Sequence, residues 1–253
     1  MKNRIYLICF ILYFCMSFSF HNNLYFKGAV IRGDTLKKVI ALVFTGDEFA
    51  DGGELIAGVL QKEGIRASFF FTGNFYRNTA FRPLIRRLQQ QGDYLGPHSD
   101  RHLLYCDWNN PDSLLVTRRL FRNDLRINLA AIKKAGIPTA SIKYFLPPYE
   151  WYNDSIAVWT KEMSMQLINY SPGTLSAADY TYPGLKNYRS ADEIYQSVIV
   201  KEKEDRHGLN GFILLLHIGT DPKRTDKFYF RLNELIKTLK QKGYQFKKVN
   251  ELI

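Results

Sequence analysis

Cysteine is nearly missing from this chain: three occur in 253 residues, and two of them, Cys9 and Cys15, lie within the first twenty positions. Beyond that segment only Cys106 remains, so no internal disulfide can form and the fold must rest on its core. A lone cysteine between Tyr105 and Asp107 reads first as a packed side chain and only second as a nucleophile. No apolar run reaches the ~20 residues needed to cross a bilayer; the longest spans residues 5–14. Internal repeats and low-complexity tracts are absent. Acidic residues are outnumbered, 24 against 35 Lys and Arg, giving a formal charge of +11. The basic residues are scattered over helical stretches such as 82–87 and 237–242, without a compact arm or a nucleic-acid motif. Nucleic acid is therefore set aside, and an acidic envelope polymer or plain solvation fits the charge better.

What is present begins with MKNRIYLICFILYFCMSFSF. Lys2 and Arg4 precede the apolar run, and small residues fall at Ser17 and Ser19. That order predicts a signal peptide over residues 1–19 and a secreted, periplasmic or cell-envelope protein that meets a membrane only through this segment. A retained anchoring helix is the competing reading. A lipoprotein acylated at Cys15 is disfavoured by the bulky Tyr13 and Phe14. Removing the segment lowers the charge to +9, because nothing acidic precedes His21.

The remainder, residues 20–253, reads as one domain in which strands and helices alternate. Buried strands are expected at 38–45, 67–72, 93–96, 142–146, 166–168, 211–217 and 244–248. Helices are expected at 52–63, 81–91, 111–134, 155–163, 191–205 and 225–242. About seven strand–helix units predict an α/β fold, a distorted (β/α) barrel of parallel strands, whose chemistry belongs on the loops after the strands. The loop 170–188, rich in Tyr, Ser, Gly and Pro, is long enough to wall a groove.

The polar candidates cluster at those strand ends. His98 and His102 sit four apart in Gly96-Pro97-His98-Ser99-Asp100-Arg101-His102. On one helical turn that spacing sends both imidazoles to one side, where they can share a metal. Alone, the pair could equally be two surface histidines. With His217, three of the five histidines fall at strand ends that a barrel brings together. Asp47, after the first buried strand, is the nearest anionic ligand, with Glu48 and Asp51 in reserve. Tyr149 and Glu150 follow the fourth strand, and Trp151 and Tyr152 continue it as either sugar-stacking faces or packing.

These motifs resemble, in order, those of the polysaccharide deacetylase family that carries the NodB homology domain, over nearly all of residues 38–253. Val39-Ile-Ala-Leu-Val-Phe44 and Ala67-Ser-Phe-Phe-Phe-Thr-Gly73 are similar to its first two strands. His98-Ser99-x-x-His102 matches its metal-binding motif, Pro147-Pro148-Tyr149 its groove motif, and Leu214-Leu-Leu-His217 its final motif. The resemblance implies metal-assisted hydrolysis of an N-acetyl or O-acetyl group on a glycan, such as an N-acetylated polysaccharide or a peptidoglycan-like polymer. It implies a divalent metal, zinc suiting the ligands best, on Asp47, His98 and His102. His217 would be the acid, and the Tyr149 N–H an oxyanion donor.

Two positions depart together. Where the family has Thr-Phe-Asp-Asp-Gly, this chain reads Val43-Phe44-Thr45-Gly46-Asp47-Glu48, so Thr45 replaces the usual base. Where the family has an arginine before Pro-Pro-Tyr, this chain has Leu146. The base is then Glu150 or Glu48, or there is none. The last possibility predicts a carbohydrate-binding protein that keeps the groove without turnover; a basic envelope-binding structural protein is a third reading.

Overall fold

The computed structural model describes residues 22–253; the expected signal peptide lies outside them. A short antiparallel hairpin comes first, β1 (Leu24–Phe26) and β2 (Ala29–Arg32). Then follow β3 (Val39–Gly46), α1 (Gly53–Lys62), β4 (Ser68–Phe71), α2 (Gly73–Arg77), α3 (Arg82–Gln91), β5 (Tyr94–Pro97) and α4 (Arg118–Lys134). After these come β6 (Tyr144–Phe145), α5 (Asp154–Glu162), β7 (Gln166–Leu167), α6 (Ala191–Glu204), β8 (Phe212–His217), α7 (Leu232–Gln241), β9 (Gln245–Phe246) and α8 (Val249–Leu252).

The main sheet runs β1-β2-β8-β3-β4-β5, with β9 also on β3, and β6 pairs with β7 in parallel. Two thin seams curl these into a distorted barrel. Leu146 N–H reaches Pro97 O at 3.4 Å on one side, and Asn169 N–H reaches Val30 O at 2.9 Å on the other. The strands from β3 onward are mutually parallel where they pair, as expected; β2, which closes the second seam, runs antiparallel to β8.

Strands with both faces buried need apolar residues at every position, and β3, β4 and β8 supply them. Ala41, Val43, Phe70, Ile213 and Leu215 fill the interior with Val30, Leu146 and Ile168. The alternate residues Ile40, Leu42, Phe44, Phe69, Leu214 and Leu216 pack outward on the helices. The N-terminal hairpin is the element the pattern does not announce: all three β1 residues are exposed, so no buried face marks the strand.

The expected helix over 111–134 begins only at Arg118, where the Thr117 hydroxyl accepts the Leu120 N–H. Residues 111–117 are loop. The expected helix over 225–242 is a 3₁₀ turn, Phe228–Arg231, before α7. Cys106 is free and buried, and burial pushes its thiol up to about 11, so it is packing and not a nucleophile.

Asp93, between α3 and β5, is held against its own ionisation. Its Oδ1 accepts the Ala67 N–H at 2.8 Å, while Oδ2 is buried without a partner. Burial raises the carboxyl to about 6, against the opposing pull of the Ala67 N–H, Arg66 and Lys248. A carboxyl with a raised native pKa contributes stability only while protonated. That contribution is complete below the unfolded value near 3.8 and is lost as pH rises through about 6. Asp93→Asn keeps an acceptor for Ala67 without the charge. Its melting temperature should exceed the parent's at pH 8 by about 2–4 °C and lose that advantage near pH 4, as read by thermal scans at the two pH values.

Candidate active site

The C-terminal ends of β3, β5, β6 and β8 open into one cavity of about 650 Å³. His98, His102, Asp47, Glu48, Tyr149, Glu150 and His217 all line it. The structure thus gathers at one site the residues to which catalytic or metal-binding roles were assigned from the sequence, while Asp51, Trp151 and Tyr152 lie outside its lining. The loop 170–188 forms one wall through Tyr170, Leu175, Tyr180 and Tyr182, as its length suggested. Trp108 and Tyr149 stand on the mouth, their rings 5.4 Å apart, and Trp151 packs behind Trp108. Tyr152 turns inward and donates to Phe26 O, so it is packing rather than groove.

The two histidines do converge, but not on a helical turn. Residues 98–103 form a bend in which Ser99 and His102 adopt φ of 70° and 55°. This left-handed backbone is unfavourable for both residue types, and polar groups from α4 hold it in place. Asn128 Oδ1 accepts the His98 N–H at 3.0 Å, Asp124 Oδ2 accepts the Asp100 N–H at 3.1 Å, and Ser99 Oγ accepts the His102 N–H at 2.9 Å. The α4 pair Asp124 and Asn128, four residues apart on the buried face, was not anticipated; two polar residues on an otherwise apolar helix face were the available sign.

His98 Nδ1 lies 2.8 Å from the Leu146 carbonyl, which can only accept, so the ring proton sits there and Nε2 keeps its lone pair. Nε2 of His102 lies 3.2 Å from that atom. Burial and then the neighbouring His102 push His98 far down its scale. Burial lowers His102 to about 4 although Asp47 pulls the other way. Both rings are therefore neutral at pH 7, the form a metal needs. Asp47 faces the same cavity, its Oδ1 accepting from Thr72 Oγ1 at 2.6 Å and Asn74 Nδ2 at 3.4 Å.

Among the described residues, no group of three His, Cys, Asp or Glu side chains closes tightly enough to hold a metal ion. Two nitrogen donors aimed at one point, with a carboxylate whose charge His102 feels, still fit a divalent metal by donor chemistry. His98 and His102 would hold it, with Asp47 completing the set. Asp51, a reserve candidate, is committed elsewhere: its carboxylate accepts from Thr220 N–H, Tyr229 OH and Lys227 and pins the loop after β3 to the loop after β8.

The side chain that sequence reasoning missed is Asp179, the one acidic residue of the wall loop 170–188. Its Oδ1 meets His217 Nδ1 at 2.6 Å, and its Oδ2 accepts the His217 N–H at 2.9 Å. Burial alone would depress His217, but Asp179 and then Glu150 outweigh it, and the imidazole is held above its ordinary value. His217 thus carries a proton more readily than the two histidines opposite. Asp179→Asn should lower the His217 titration midpoint, followed by its imidazole NMR signals across pH. An unchanged midpoint would refute this account of the pair.

The comparisons with known proteins follow the same line. The sequence profile described as polysaccharide deacetylase matches residues 32–168, more than half of the chain. An uncharacterised 30.6 kDa protein of Geobacillus stearothermophilus is 26% identical over 226 residues, 89% of this chain and 75% of that one. The peptidoglycan-N-acetylmuramic acid deacetylase PdaA of Bacillus subtilis is 25% identical over 227 residues, again 89% and 75%. Among solved structures, a CE4 family pseudoenzyme from Bacillus anthracis superimposes with a TM-score of 0.69 at 20% identity, over 90% of this chain and 69% of that one. The profile match and the shared barrel place the chain in the polysaccharide deacetylase family.

Proposed function

We propose that this protein is a metal-dependent hydrolase that removes acetyl groups, N-linked or O-linked, from a polysaccharide or other glycan. The observation that carries the reading is the pair of Nε2 atoms 3.2 Å apart at the floor of the cavity, faced by the His217–Asp179 couple. A divalent metal bound there supplies Lewis acidity toward a carbonyl oxygen and a water, and zinc suits the ligands best. The chain's own groups do the rest. His217 gives its proton to the departing amine, and Asp179 holds its ring in the orientation to do so. The Tyr149 main-chain N–H is the proposed donor to the developing oxyanion.

The name of the Bacillus subtilis relative makes peptidoglycan the first substrate to try. The apolar mouth formed by Trp108 and Tyr149 suits the faces of sugar rings. The signal peptide expected over residues 1–19 would bring the protein to such a polymer in the periplasm, in the envelope or outside the cell.

A second reading, a glycan-binding protein without turnover, draws on Thr45. Its hydroxyl is buried at 1% exposure without a hydrogen-bond partner, in the place of the usual base. Metal content by elemental analysis, paired with acetate release from chito-oligosaccharides and peptidoglycan fragments before and after chelation, separates the two. The proposed enzyme shows stoichiometric metal and chelator-sensitive release; metal without release from any acetylated glycan favours the binding protein. His98→Ala should abolish both metal and activity. His217→Ala should keep the metal and lower turnover by about 10²–10⁴. Full metal occupancy in His98→Ala would contradict the ligand assignment.

A further inference from the structure

The cavity is bordered by several carboxylates, and their bonds sort them. Asp179 spends both oxygens on His217, and Asp47 is tied to Thr72 and Asn74. Asp221 caps its own loop through the Lys223 N–H, and Glu48 is exposed at the mouth. Glu150 is different. Among the described residues its carboxyl has no hydrogen-bond or ion-pair partner, yet it lines the cavity beside His217.

Its backbone is also held where a side chain is costly. Tyr149 and Glu150 have φ of 59° and 54°, two successive non-glycine residues in the left-handed conformation that side chains disfavour. Three hydrogen bonds fix this turn: Glu150 N–H to Pro147 O, Trp151 N–H to Pro148 O, and Asn169 Nδ2 to Glu150 O. A glycine would sit there without strain. The fold instead tolerates the strain and presents a free carboxyl to the pocket, while the β3 position that lines the same cavity holds only the unbonded hydroxyl of Thr45.

We propose that Glu150 is the general base of the hydrolysis, taking over the task that Thr45 cannot perform. The inference rests on the hydrolase reading above. The water oxygen bonds to the acetyl carbonyl carbon as one water proton passes to the Glu150 carboxylate. The carbon–nitrogen bond then breaks, its electron pair staying on nitrogen, which takes the proton of the His217 imidazolium. Acetic acid and the free amine leave, and the proton on Glu150 passes to the neighbouring His217, restoring both groups. The groups facing Glu150 are His217, Asp179 and Tyr170. Burial raises its carboxyl to about 7, with His217 opposing and Asp179 reinforcing the shift. It can therefore both accept and release a proton near neutrality.

The test uses the full mature chain loaded with zinc, with acetate release from the best acetylated glycan. Glu150→Gly removes the carboxyl and relieves the strained turn, so the variant should fold, melt no lower than the parent and keep its metal. Its kcat should fall by about 10²–10⁴ with little change in KM, the acid limb of the pH profile should vanish, and added formate should restore part of the rate. Activity within threefold of the parent overturns the proposal. So does a loss that formate does not reverse, which makes Glu150 a positioning residue, or a loss carried by Glu48→Gln instead. A parent that releases no acetate from any glycan overturns the hydrolase reading itself, and the base assignment with it.

Discussion

The bond between the His98 ring and the Leu146 carbonyl is the contact on which the rest of the site depends. It joins the end of β5 to the end of β6 at one of the two seams where the barrel closes on thin pairing. It also fixes the tautomer of a buried imidazole, so that the nitrogen facing the cavity is the one with a lone pair. Structure and chemistry share one proton here. Asn128 adds the second constraint by accepting the His98 main-chain N–H while donating to Phe71 O, which ties β4, β5 and α4 together at the same point. A buried, neutral histidine pair is a poor place for a proton and a good place for a cation that accepts nitrogen lone pairs.

Much of this was legible before any coordinates, for reasons that differ by residue. β3, β4 and β8 are apolar at nearly every position because both faces are covered, and such runs identify themselves. His98, Tyr149 and His217 fall at or shortly after the ends of strands, where a barrel gathers its loops, so chain position alone brought them together. The convergence of His98 and His102 was anticipated correctly but for the wrong local geometry. Spacing of four suggested a helical turn, whereas a bend with two left-handed residues brings the rings together, and Asn128 and Asp124 of α4 with Ser99 of the bend itself hold it in place. Asp179 was hidden because its partner lies 38 residues away across an irregular loop. β1 was hidden because a strand with no buried face leaves no pattern.

The two departures from the family pattern fit one physical account. Leu146 is fully buried and packs among Phe70, Ile168 and Leu215 in the barrel interior. An arginine there would bring a charge into an apolar interior and would need a carboxylate beside it to be tolerated. Thr45 offers none, and its hydroxyl cannot accept a second charge. Neutral side chains therefore suit both positions together, and Leu146 adds to the apolar packing of the barrel interior.

With Thr45 and Leu146 neutral, the ionisable groups of the cavity lie at other positions around it. The ionisable groups at the strand ends are the histidines, and the carboxylates that raise His217 come from loops: Asp179 from the wall loop and Glu150 from the turn after β6. Asp179 is spent on orienting His217. Glu150 is left free in an apolar setting, where a carboxyl binds its proton more tightly than in water. Tyr149 and Glu150 hold a left-handed backbone that glycine would adopt without strain, and the carboxyl that this turn presents to the pocket is the group the proposed base reaction draws on.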